Sequence, residues 1–329
     1  MSFTVHRVLV TTLVLTMSAS GRALAQDAPS STSPQVQPPP SLLTPQNLPP
    51  ENPAPLFDFR DSDIKFSLNS LMNVLRDSRH EGWVLAAYPD PKTSRPLIGA
   101  GFGLDVAATE HQQRDPLNPH PFLEPSTAQL WHAAGLDSAR LQGILDQFDR
   151  DLNAWKKKKF RRKIRTHALS PQLTEEDATK LLRISAIQAT YNARAYCRLF
   201  DQLTASQQMA LSQLVFQMGV NLEEFTQFLS AMNDDSHGDP TPPMSSAEPE
   251  AEHWKAVQST LIQSQWARRY SGRAISVIAM FDPNYENDPK AAERKVQATL
   301  RPPVAHHRKR THQKSVQAGN APQHHSGKS

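Results

Sequence analysis

Residues 80–105 read HEGWVLAAYPDPKTSRPLIGAGFGLD, and their character changes part-way along. Just upstream, Leu68, Leu71, Met72 and Leu75 have the i, i+3, i+4, i+7 spacing of one apolar helix face. Gly82 is a helix terminator, so that helix is expected to end near His80-Glu81-Gly82. From Trp83 onward, three prolines and three glycines before Leu104 interrupt short apolar runs around a polar turn. This pattern suits a small irregular β-hairpin.

Further along, the periodicity is weak through the Pro-rich DPLNPHPFLEP, residues 115–125, and Ser126–Trp155 then reads as helical. Thr174-Glu175-Glu176-Asp177 opens a helix with a side-chain cap and an acidic first turn. Thr204-Ala205-Ser206-Gln207 is a capping box for the next helix. That helix carries Met209, Ala210, Leu211, Leu214, Val215 and Phe216, too apolar for a surface helix, and is expected at the centre. Residues 233–252 are polar and Pro-rich and read as a loop, followed by a helical block from Trp254 to about Phe281. The fold class is thus α+β, mainly α.

The flanks are of another kind. MSFTVHRVLVTTLVLTMSASGRALAQ runs from His6 and Arg7 into an apolar segment, Val8–Met17, and ends on Ala23-Leu24-Ala25. The segment is too short to span a bilayer, so residues 1–25 read as a signal peptide and the mature chain as periplasmic or secreted. Ten prolines among the 29 residues from Asp27 to Pro55 make that stretch an extended spacer. The region 26–62 is accordingly expected to be a disordered linker, and 286–329 a basic, His-rich disordered tail. Between them lies one domain, residues 63–285, with an insertion at about 105–170. Cys197, the single cysteine, cannot form an internal disulfide and reads as a buried structural thiol.

The order of the pieces carries a resemblance. Glu81-Gly82 is followed by Tyr88, Asp90 and Ile98-Gly99-Ala100-Gly101, and then by the capped LTEEDATKLL of residues 173–182. ALSQLVFQMG, residues 210–219, comes next, and Ser264-x-Trp266 stands before Arg273, with Trp254 upstream. The chain resembles the bacteriophage-type lysozymes, the muramidases of glycoside hydrolase family twenty-four, over Leu68–Leu104 and Leu173–Phe281. The resemblance implies a lysozyme-like fold with a small β-hairpin subdomain and a helical lobe. It also implies hydrolysis of the bond between N-acetylmuramic acid and N-acetylglucosamine in peptidoglycan.

Glycosidic cleavage needs one acid to protonate the leaving oxygen and a second carboxylate to manage the oxocarbenium-like carbon. Glu81 and Asp90, nine residues apart, straddle a helix end and a hairpin, which can set them on two walls of one cleft. Taken alone, Glu81 also reads as a solvated helix end and Asp90 as a turn former before Pro91. The resemblance gives Glu81 the general-acid role, Asp90 the attacking water, and Arg273 the pairing with Glu81. It places Gly99, Gly101, Gln217 and Ser264 as substrate-binding or supporting residues, and Trp266 reads as structural. The family has a threonine just before Ile-Gly-x-Gly that helps place the water. This chain has Leu97 there after a one-residue insertion, leaving Thr93 and Ser94 as the nearby hydroxyls. That departure keeps a second reading open, a lysozyme-fold module that binds peptidoglycan without cutting it.

No cofactor or metal is expected; His306-His307 and His324-His325 lack the spacing of a closed metal site. Lys156–Arg165 holds eight cations in ten residues, and the chain has a pI of about 9.2. Such a run attracts anionic envelope polymers, or it is a solvated helix face, or it serves a cationic envelope-binding protein in which the cleft is irrelevant. No nucleic-acid motif accompanies it, and a monomer is expected. The export reading predicts a mature protein beginning at Gln26. N-terminal sequencing of protein recovered from periplasm or medium checks this, and a retained Met1 would refute it.

Overall fold

The centre of the fold is a pair of helices, α4 (Glu175–Tyr196) and α5 (Ala205–Met218). Each begins where its sequence places a cap. The Thr174 hydroxyl accepts from the Asp177 amide at 3.1 Å. At α5, Thr204 and Gln207 satisfy each other's backbone N–H groups at 3.3 and 2.9 Å. Helix α5 has no exposed face: its polar Ser206, Gln207, Gln208, Ser212 and Gln213 are buried along with Ala210, Leu211 and Leu214.

The structure is a computed structural model that describes residues 56–300, except 57, 79, 112–114, 158–168 and 234–246. The leader, most of the Pro-rich stretch, Lys158–Arg165 of the basic run and residues 301–329 lie outside the described residues. In order, a 3₁₀ turn (Asp61–Asp63) precedes α1 (Leu68–Arg76), β1 (Val84–Pro89), β2 (Pro96–Gly99) and β3 (Phe102–Gly103). Then come β4 (Thr109–Glu110), β5 (Leu123–Glu124), α2 (Thr127–Ala133) and α3 (Ser138–Lys157). After α4 and α5 follow α6 (Thr226–Met232), α7 (Ala247–Gln263), α8 (Gln265–Arg269), α9 (Ser271–Ala279) and α10 (Pro289–Leu300). The protein is mainly helical with two small antiparallel sheets, β1-β2-β3 and β4-β5. Among the described residues, no helix is long and apolar enough to cross a membrane.

Two apolar clusters divide the core. The larger holds α1 by its buried Leu68, Leu71, Met72 and Leu75, together with α4, α5 and the helices after them. The smaller joins Ala87, Ile98 and Leu104 of the hairpin region to Trp131, Ile144 and Phe148 on α2 and α3. The insertion is therefore built into the hairpin's own core. Trp83 and Phe102 pack against both clusters. The approach to α4 docks on β1: the Gln172 and Leu173 amides donate to the Leu85 carbonyl at 2.7 and 3.0 Å.

Several boundaries differ from the sequence expectation. Helix α1 ends at Arg76, and a turn of hydrogen bonds from His80 and Gly82 to the Asp77 carbonyl carries the chain on to Glu81. The ordered body also reaches beyond 63–285 at both ends. Leu56 is 1% exposed within the core, so the linker is shorter than 26–62. Residues 289–300 form α10, seated by the buried Ala292 and Val296, so the tail does not begin at 286. Two small apolar residues at i, i+4 suffice to dock a helix in a segment whose average composition is polar. Residues 247–252, read as loop, form the first turns of α7. Leu214→Ala should lower the stability by about 2–5 kcal/mol, because it removes fully buried methyl groups and leaves a cavity. Urea unfolding checks this through a lower midpoint at an unchanged slope.

Candidate active site

Glu81 follows the turn after α1, and Arg273 sits on α9, 192 residues later. Their side chains meet. Arg273 Nη1 donates to Glu81 Oε1 at 2.6 Å, and both side chains are 4% exposed. Glu81 is therefore neither solvated nor part of the helix. Burial pushes the Glu81 carboxyl above its usual range, against the opposing pull of the Arg273 charge and hydrogen bond. Arg273 Nη2 is buried and finds no hydrogen-bond acceptor among the described residues.

Asp90 lies at the end of β1, also buried. Its Oδ1 accepts from the Lys92 amide (2.8 Å), the Thr93 amide (2.7 Å) and the Thr93 hydroxyl (3.0 Å). The longer hairpin thus brings Thr93 to Asp90. Ser94 instead takes a left-handed conformation with φ 62° and is exposed. Leu97 pairs with Tyr88 across β1 and β2, with no hydroxyl to offer. Burial, then the charges of Glu81 and Asp90, drives the Tyr88 phenol upward. Tyr270, at the start of α9, is also raised, chiefly by burial and further by both carboxylates, against Arg269 and Arg273. Two tyrosines thus share the electrostatic surroundings of the two acids.

The supporting residues fall into distinct places. Gly99 and Gly101 have φ of 64° and 89°, conformations that L side chains adopt only at a cost, and they make the turn from β2 into β3. Gln217 accepts from the Trp266 indole at 3.0 Å, and Trp266 is buried. Ser264 caps α8, accepting from the Ala267 amide at 3.1 Å and donating to the Leu261 carbonyl at 2.6 Å. Cys197 is buried, and its thiol is pushed up to about 12 by that burial.

A groove of about 170 Å³ runs beside β3, lined by Gly101, Phe102, Val215, Phe216 and the α4 residues Ser185, Gln188, Ala189 and Asn192. Glu81 and Asp90 are not in its lining. The α4 groove residues escape a sequence reading aimed at catalytic acids. Their one signal is a row of polar side chains at i, i+3 and i+7 among the apolar Leu181, Leu182, Ile184, Ala186, Ile187 and Ala189. Among the described residues, no three of His, Cys, Asp or Glu come together to hold a metal. No protein-family model matches the chain, and no curated protein matches it.

The raised carboxyl of Glu81 has a definite consequence for stability. The folded protein keeps the proton to a higher pH than the unfolded chain does. Stability is then full below the ordinary carboxylate range and declines as pH rises through the raised value. Glu81→Gln cannot ionise and should lack that decline. Melting temperatures measured from acid to neutral pH should move in the variant's favour as pH rises; a constant difference would show that Glu81 titrates normally.

Proposed function

We propose that this protein is a glycoside hydrolase working with an acid and a held water. More narrowly, it is an exported lysozyme-fold muramidase that cleaves peptidoglycan between N-acetylmuramic acid and N-acetylglucosamine. The observation that carries the reading is the buried Glu81–Arg273 pair. A carboxyl whose hold on its proton is raised by burial suits the proton donor that a glycosidic oxygen needs on leaving, and Arg273 fixes its rotamer. Asp90 holds the attacking water, and the Thr93 hydroxyl on its Oδ1 orients it. Thr93 so takes up the place that Leu97 vacates. The order in the sequence of Glu81-Gly82, Asp90, Ile98-Gly99-Ala100-Gly101 and Arg273, which resembles that of the phage-type lysozymes, supports the same reading. The basic run Lys156–Arg165 adds attraction to anionic envelope polymers around the substrate.

A second reading, a module that grips glycan without cutting it, is favoured by the engagement of Asp90 Oδ1 in three bonds of its own turn. Purified peptidoglycan decides between them. The wild type should release soluble muropeptides, and Glu81→Gln should abolish release while the fold and glycan binding persist. Thr93→Ala should reduce the rate by about 10–100-fold, the scale of a positioning group near the chemistry, and Leu97→Thr should be close to neutral. Full-rate hydrolysis by Glu81→Gln would overturn the assignment. Intact sacculi recovered with bound wild type would establish the binding module.

A further inference from the structure

Two exposed cations stand beside the buried acids, one on the hairpin and one on the helical lobe. Lys92 follows Asp90 in the hairpin turn, and its backbone amide, not its side chain, donates to Asp90 Oδ1. Arg269 closes α8, one residue before Tyr270 and four before Arg273, the partner of Glu81. The Arg269 guanidinium lies 5.6 Å from the centre of the Tyr270 ring, an attraction that restrains it. The half-buried Tyr270 phenol feels the charges of Arg269, Glu81, Arg273 and Asp90 alike. Arg269 therefore belongs to the surroundings of both acids.

The other cations nearby are matched, and these two are not. Arg273 is paired with Glu81, and Arg95, the hairpin's other cation, lies 3.2 Å from Asp105. Among the described residues, neither Lys92 nor Arg269 makes an ion pair. They also act on each other. The Lys92 ammonium is pushed below its ordinary value by desolvation and then by the Arg269 charge, which outweighs the opposing pull of Asp90. Two like charges held within reach of each other repel, and an anion between them relieves that repulsion. Both side chains are exposed, so such an anion reaches them without any rearrangement of the core.

We propose that Lys92 and Arg269 form an anion subsite beside the two acids that takes a carboxylate of the peptidoglycan stem peptide, so that the protein favours glycan carrying charged stem peptides. This rests on the peptidoglycan reading of the site and is independent of whether the glycan is cut. A glycan placed against Glu81 and Asp90 bears its stem peptides on the muramic acid residues, and their carboxylates are the anions that arrive with it. The planar fork of Arg269 matches a carboxylate, and Lys92 adds a point charge from the opposite element.

Titration of the mature protein with a disaccharide muropeptide, and with the same muropeptide amidated at its carboxylates, tests the subsite at low ionic strength. The wild type should bind the charged form about 2–5-fold more tightly for each charge contact, the scale of an exposed ion pair, and the gap should narrow as salt rises. Lys92→Gln combined with Arg269→Gln should remove most of the gap. Lys92→Gln alone, which keeps the backbone amide on Asp90, should remove part of it and decides the matter should the double variant fail to fold. Equal binding of the two forms by the wild type would overturn the subsite and leave the peptidoglycan reading standing. A gap that persists undiminished in the folded variants would also overturn it, assigning the discrimination to the basic run Lys156–Arg165. Binding of neither form would overturn both the subsite and the peptidoglycan reading.

Discussion

A carboxylate and a guanidinium, both almost fully shielded from water, join the turn after α1 to α9 across 192 residues of chain. Taking two charges out of water is costly, and their mutual attraction repays the cost only when the geometry is good. Here one short hydrogen bond makes the contact, while Arg273 Nη2 remains without a protein acceptor. Removal of either partner from such a pair typically costs about 3–5 kcal/mol, because the other charge is left buried and alone. A pair this expensive is a poor device for stability. It is a good one for aiming a carboxyl in a fixed rotamer, while burial, against the pull of Arg273, is what raises that carboxyl's hold on a proton.

The hairpin answers to the same site. β1 leads directly into Asp90 while its buried Ala87 packs with the insertion, and the register is irregular between Val84 and Tyr88. Beyond that irregularity, Tyr88 faces Leu97 and Pro89 faces Pro96. The turn then closes on Asp90 itself, whose Oδ1 gathers Lys92 and Thr93. One carboxyl oxygen builds the turn, and the turn in exchange holds the carboxyl in place. The structural and chemical readings of Asp90 are therefore compatible.

The insertion has two roles in the architecture. Trp131, Ile144 and Phe148 complete the core beneath the hairpin, and residues 115–124 bind along α4 beside the groove. Trp83, Phe102 and Ala134 lie against both cores and join them. Arg76 stacks over the Trp83 ring at 4.4 Å, and the Trp83 indole donates to Glu175 at 2.8 Å, which restrains that junction further.

Local chemistry made much of the protein legible without coordinates. The apolar face of α1, the caps at Thr174 and Thr204 and the buried character of α5 depend on residues within a turn or two of each other, so periodicity and capping rules suffice for them. Glu81 and Asp90 stood out through the resemblance carried by the blocks around them, since taken alone each also reads as a helix-end or turn residue. Tertiary structure alone decided the rest, since it depends on partners distant in the chain. Burial of Glu81 requires Arg273 from α9, and α10 becomes ordered only because the body offers a seat for Ala292 and Val296. Asn192 and Gln188 look like ordinary polar residues until β5, some 65–69 positions earlier, lies across them. Sequence pattern reports what a segment can form; desolvation and long-range hydrogen bonding, which set the chemistry of the site, exist only once the segments have met.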